Sequence, residues 1–205
     1  MATKAPAGRP ATTGPRANRP TARERLLAAA NELFYEEGVH TVGIDRVIER
    51  AGVAKATLYS AYGSKDELIR AYLLGRHEVR SRRITAAVAR HDTPREQVLA
   101  VFDALGESIA QPNYHGCAFV NAAAEARPES PITEAVDEYR GWLRALFTDL
   151  ATAAGAADPE QLSRRLVLLY DGAAISARMD GRLDAAETAR GAAAALIDAA
   201  AARQA

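Results

Sequence analysis

The chain of 205 residues is long enough for one or two domains with a sizeable core, and its formal net charge of zero excludes a uniformly basic nucleic-acid binder. A single cysteine, Cys117, excludes an intramolecular disulfide and a multi-cysteine metal site, while no apolar run reaches the ~20 residues of a membrane span. The charge is segregated all the same: residues 1–93 carry 16 Lys and Arg against 10 Asp and Glu, and residues 94–205 carry 10 against 16, so one half suits a polyanion and the other does not.

Residues 1–20 are rich in Pro, Gly, Ala and Thr without hydrophobic periodicity, and are expected to form a disordered arm. The arm holds Lys4, Arg9, Arg16 and Arg19 and no acid. It serves either as a solubilising tail or as a basic strand along DNA, with Arg16 and Arg19 nearest the folded part. The opening MATKAPAGRP lacks the apolar core of a signal peptide, so a cytoplasmic protein is expected.

Thr21-Ala22-Arg23-Glu24 is a capping box that starts a helix over 21–37, with Leu26, Leu27, Ala30, Leu33 and Phe34 as its apolar face and Gly38 as its stop. Two short helices follow, 44–51 and 55–62, with a tight turn at Gly52 between them. Ile44, Val47, Ile48, Ala51, Val53 and Leu58 can meet on one side, which leaves Lys55, Thr57, Tyr59 and Ser60 facing outward. That is a helix-turn-helix pattern.

Ser64-Lys65-Asp66-Glu67 then opens a fourth helix and puts Lys65 at its first position, where the helix dipole is already positive. An anion is needed there, and a phosphate would meet free amides, a lysine and the dipole together. Residues Thr21 to Leu74 resemble the amino-terminal DNA-binding domain of the TetR family of transcriptional repressors, through the phrase AGVAKATLYSAYGSKDEL after a helix that ends in FYEEG. The resemblance implies a homodimer on a palindromic double-stranded DNA operator, with Lys55, Ala56, Thr57, Tyr59 and Ser60 on the recognition helix. Tyr59 and Lys65 match positions that hold phosphates, and Arg46 is a further candidate for a backbone contact. The sequence departs from the family pattern at Gly43, where a Ser or Thr cap is usual, at Ala61, where His is frequent, and at Tyr62, where Phe is frequent.

Beyond the head, Thr93-Pro94-Arg95-Glu96, Ser130-Pro131, Asp158-Pro159-Glu160-Gln161 and Asp184-Ala185-Ala186-Glu187 mark further helix starts. Helices are expected over 64–91, 94–110, 117–126, 131–154, 159–180 and 184–203, with no strand. The fold class is therefore all-α: a helix-turn-helix DNA-binding domain over 21–66 and a helical effector-binding and dimerisation domain over 67–205. In the fourth helix the run Arg76, His77, Arg80, Arg82, Arg83 is read as a solvated face, because helical rotation spreads it around the axis. Leu162, Leu166, Leu169, Ala173 and Ser176 recur at spacings that suit helix packing, and Gly172 beside them allows a close backbone approach. The last helix has only Leu183, Leu196 and Ile197 as large anchors. Either an intramolecular core or a two-fold interface fits that seam, and the resemblance favours the interface.

No catalytic constellation, metal-ligand spacing or cofactor motif is present, so an enzyme is not expected. Glu37-Gly38-Val39-His40 straddles a helix stop, and His77, His91 and His115 are scattered. Phe102, Phe119, Tyr139, Trp142 and Tyr170 gather most of the large rings of the second half and, with Cys117, are the candidates for an effector pocket. In TetR-like proteins the corresponding helices enclose a small molecule, which points to an apolar or aromatic effector; Glu107, Glu125 or Asp171 would favour a cation. Cys117 beside His115 at a helix start supports an alternative, a redox- or electrophile-sensing regulator. A helical carrier or enzyme without DNA binding is a further alternative, which the basic amino-terminal half disfavours.

Overall fold

A computed structural model describes residues 19–124 and 126–201. Lys4, Arg9 and Arg16 of the expected arm, and Glu125, lie outside the described residues. Among the described residues the fold is all-helical: α1 (Ala22–Glu37), α2 (Ile44–Ala51), α3 (Lys55–Tyr62), α4 (Lys65–Val88), α5 (Pro94–Ile109), α6 (Ala118–Ala123), α7 (Pro131–Ala153), α8 (Pro159–Met179) and α9 (Ala185–Ala201).

Local chemistry accounts for most of the starts. Thr21, Ser64, Thr93, Ser130 and Asp158 each accept the backbone N–H three residues on, at the heads of α1, α4, α5, α7 and α8. Each such cap stabilises its helix by ~1 kcal/mol over alanine. Pro94, Pro131 and Pro159 occupy the first turn, where a missing amide costs nothing. Gly52 takes the left-handed conformation, φ 62° and ψ 47°, and its N–H closes α2 onto the Ile48 and Glu49 carbonyls.

Two helices are shorter than expected. Cys117 is extended, φ −82° and ψ 115°, so α6 begins only at Ala118. It ends at Ala123, well before Arg127, which Pro128 biases away from the helical region. The fourth helix stops at Val88 rather than near 91, because Arg90 and His91 turn tightly onto the Ala87 and Val88 carbonyls at 3.2 and 3.1 Å.

Helices α1 to α3 pack around Leu26, Phe34, Val47, Ile48, Ala51 and Leu58, all buried. Helix α4 leaves this head and lies against α1, α5 and α7, while α8 and α9 pack on each other and on α7 and α5. Rings fill the centre of the second layer: Phe102, Phe147 and Tyr170 meet with centroids 5.9 to 6.2 Å apart. No described helix is long and apolar enough to cross a membrane.

Candidate nucleic-acid interface and effector cavity

Helix α3 owes its orientation to two anchors. Leu58 is fully buried beneath it, and Tyr62 at its end donates its hydroxyl to the Arg23 carbonyl at 2.9 Å. The Arg23 guanidinium sits 4.3 Å over the Tyr62 ring and donates to the Ala61 carbonyl. The departure at Tyr62 thus ties α3 to α1 through its hydroxyl, while Ala61 contributes only its backbone carbonyl. With the inner face held, Lys55, Ala56, Tyr59 and Ser60 are exposed and Thr57 is half-buried beside them. These side chains face outward, as the spacing of Lys55, Thr57, Tyr59 and Ser60 predicted.

Electrostatics modify that face. Lys55 Nζ lies 3.0 Å from Asp45 Oδ1, and this hydrogen-bonded pairing raises its pKa above the ordinary lysine value. Arg46 is paired with Glu37 and Arg50 with Glu32, so both arginines clamp α2 to α1. Arg46 spends one nitrogen on Glu37 and stays more than half exposed. Gly43 makes no side-chain cap at α2, which leaves amides open at that helix mouth.

Lys65 stands at the first position of α4, next to Ser64, whose hydroxyl accepts the Glu67 N–H at 3.1 Å. Partial burial lowers the Lys65 pKa, with Asp66 acting in the opposite direction. A half-desolvated cation at a positive helix end is relieved by an approaching anion.

The second feature lies where α4 passes α5 and the loop before α6. Tyr35, Arg76, Val79, Arg80, Arg83, Ser108, Gln111, Asn113, Tyr114 and Ala118 line a cavity of about 250 Å³. Arg76, Arg80 and Arg83 follow the spacing four and three, so they share one side of α4. The reading of this run as a dispersed solvated face is thereby corrected for Arg76 and Arg80; Arg83 at the cavity rim and Arg82, which pairs with Glu78, do face solvent. The i, i+4, i+7 spacing was the signal that marked the three cavity arginines.

Arg80 donates through Nη1 to the Tyr139 hydroxyl at 3.2 Å and the Cys117 sulfur at 3.4 Å. Burial works against its charge, but Tyr139, Cys117 and Tyr170 around it hold its pKa well above the ordinary arginine value. Arg76 stacks 3.8 Å over the Tyr35 ring and donates to the Asn31 carbonyl at 3.3 Å. The Tyr35 hydroxyl bridges the loop, accepting the His115 N–H at 3.2 Å and donating to the Gly116 carbonyl at 3.3 Å. Neither Tyr35 nor any cavity arginine was singled out from the sequence as an effector residue.

The expected pocket residues lie elsewhere. Phe119 stacks on Tyr139 at 3.8 Å, Trp142 packs beside Tyr139 and His77, and Phe102 joins the central ring cluster with Tyr170. None of these five rings lines the arginine cavity. Burial raises the pKa of Tyr139 and Tyr170, so both hydroxyls stay protonated. Cys117 lines a neighbouring hollow of about 270 Å³ with Val120, Ile175 and Met179. Asp171 is held by Arg140 at 2.7 Å and Glu107 is exposed, so neither supplies the cavity with a negative charge.

Comparison with known proteins decides what this pairing of a head and a cavity is. The family model for bacterial regulatory proteins of the tetR family matches residues 26–72. SCO4454, a TetR-family transcriptional regulator from Streptomyces coelicolor, has a crystal structure that is 36% identical, covering 88% of this chain and 96% of that one with a TM-score of 0.83. The chain belongs to the TetR family of transcriptional regulators. Its helix-turn-helix is a DNA-binding unit, and the family is one of regulators and not of enzymes. The transcriptional activator FasR of Mycolicibacterium smegmatis is 46% identical over 68 residues, 32% of this TetR-family chain, which spans 31% of FasR's length. The regulator TtgR of Pseudomonas putida is 25% identical over 162 residues, 73% of this chain and 77% of TtgR.

Proposed function

We propose that this TetR-family chain is a homodimeric repressor that holds a palindromic operator and releases it when a small molecule enters the cavity beneath α4. The observation that carries the reading is the Tyr35 bridge. One residue of the DNA-binding head lines the cavity and bonds the loop on its far side, so cavity occupancy and head position share atoms. An effector acts through its different affinity for the bound and released arrangements of that bridge.

On the DNA, Lys55 and Thr57 approach base edges, with Ala56 and Ser60 beside them, while Tyr59, Lys65 and Arg46 take phosphates. Residues 21–66 act as the reading head and 67–205 as the sensing and pairing body. Pairing is supported by an apolar face left uncovered on α8, where Leu168 and Met179 are 71% and 78% exposed.

The test is operator binding across a salt series. Lys65→Ala should weaken binding to every sequence and lower the salt slope by about one counterion, whereas Thr57→Ala should change sequence preference. An unchanged slope for the lysine variant removes its assigned role. A second reading, sensing through Cys117, draws on the Arg80 guanidinium, which donates to its sulfur at 3.4 Å and would be released by its oxidation. Cys117→Ser distinguishes the two: it abolishes a response to oxidant under the second reading and leaves effector release intact under the first.

A further inference from the structure

We infer that the effector of the α4 cavity is a small organic anion, its carboxylate or phosphate held between Arg80 and Arg83 and its apolar part against Val79 and Tyr114. The inference rests on the reading of this cavity as the effector site.

Charge is the first argument. Three guanidinium groups line the space and, among the described residues, no carboxylate does. Among the described residues none of Arg76, Arg80 and Arg83 is ion-paired, whereas Arg70 and Arg82 of the same helix meet Glu134 and Glu78 at 3.7 and 3.5 Å. The missing counter-charge is therefore specific to the side of α4 that faces the cavity. Cations brought together in a partly desolvated space repel each other and want an anion among them.

Unspent donors are the second argument. The Arg76 Nε is buried and has no hydrogen-bond partner. Arg80 commits Nη1 to both of its protein acceptors and leaves the rest of its fork without one among the described residues. Arg83 is exposed at the rim, bonded to Ser108 through Nη1. Planar forks of this kind match carboxylate and phosphate oxygens two at a time. Aromatic contacts at 5.5 and 5.7 Å pack the Arg80 head against the stacked Tyr139 and Phe119 rings, so its orientation is set before a ligand arrives.

Size is the third. A volume of about 250 Å³ falls below the ~300–1,000 Å³ of drug-sized sites and suits a compact acid. Neither Glu107 nor Asp171, which would have favoured a cationic effector, lines the site, and an aromatic or short aliphatic acid is the fitting class.

Calorimetric titration of the full chain with benzoate, octanoate, phenyl phosphate, benzamide and benzylamine tests this. At least one of the three anions should bind, with benzamide and benzylamine tenfold or more weaker than it; the ranking of the carboxylates against phenyl phosphate distinguishes the two head groups. Arg83→Gln, at an exposed position, should fold normally and weaken the anion roughly tenfold, the size of one lost charge-assisted hydrogen bond. Arg80→Lys should keep measurable anion binding that Arg80→Gln loses. Binding of none of the anions, equal binding of benzamide, or wild-type affinity in Arg83→Gln overturns the proposal. Operator affinity is measured on the same samples. An anion that binds without loosening the operator overturns its role as effector, while failure to bind any operator overturns the regulator reading and leaves the cavity titration to decide the anion site alone.

Discussion

Lys55 and Asp45 show how a single pair can tune a reading head. Their side chains are 60% and 84% exposed, so solvent screens their ion pair and it adds little to the fold. Its effect falls on DNA: Asp45 repels phosphates and occupies the ammonium that α3 presents to the groove. Asp45→Asn should tighten binding to operator and random duplex alike by several-fold at low salt, steepen the salt slope by about one, and leave thermal unfolding unchanged. Fluorescence anisotropy on both duplexes checks it; a gain confined to the operator would mean that Asp45 reads sequence. At this scale the sequence was informative where chemistry is local. A capping serine fixes Lys65 at a helix mouth whatever surrounds it. It was silent on Asp45, because ten residues separate it from Lys55 and only the packing of α2 on α3 brings them together.

Elements carry the coupling. Helix α1 touches the cavity through Tyr35 alone of its residues, and Arg76 of α4 presses on that ring while bonding α1 at Asn31. Tyr35→Phe keeps the ring and the stacked arginine but leaves the part-buried His115 N–H without its acceptor, which should cost ~1 kcal/mol of stability. The same variant should bind operator normally and need more effector for release, since the hydroxyl is what fastens the loop to the head. Thermal melts and effector titrations of the operator complex measure the two effects, and an unchanged release curve would detach Tyr35 from the switch. Helix positions were legible because Thr93, Ser130 and Asp158 announce them within four residues of chain. Helix rotation was not: whether Arg76 and Arg80 look at water or at the cavity depends on Leu68, Ile69, Tyr72, Leu73, Ile84 and Ala87 being the residues of α4 that bury, a matter of tertiary packing.

At the scale of the molecule the same question of rotation decides pairing. The seam expected to join two copies, Leu162, Leu166, Leu169, Ala173 and Ser176, is largely consumed within the chain: Leu162, Leu166 and Ala173 are buried. The uncovered stripe lies one residue back, at Leu168, Gly172 and Ile175, and continues to Met179 and to Leu183 at 72% exposure. A side chain added at Gly172 would meet nothing within 4 Å, and the groove beside it runs between α8 and α9, with room for a partner helix. A second copy covering this face would bring two reading heads together, so that each strengthens the other on half-sites about 34 Å apart. Leu168→Glu should therefore yield a folded monomer, because an exposed side chain costs the fold within ~0.5 kcal/mol, while a charge in the middle of the shared face prevents pairing. Operator affinity should then fall roughly 100-fold or more, the loss expected when a second head no longer binds as a tethered partner. Sedimentation of the variant beside binding to full and half operators checks both parts. A variant that still sediments as a dimer places the pairing surface away from α8, and a monomer that keeps full affinity means that one head suffices.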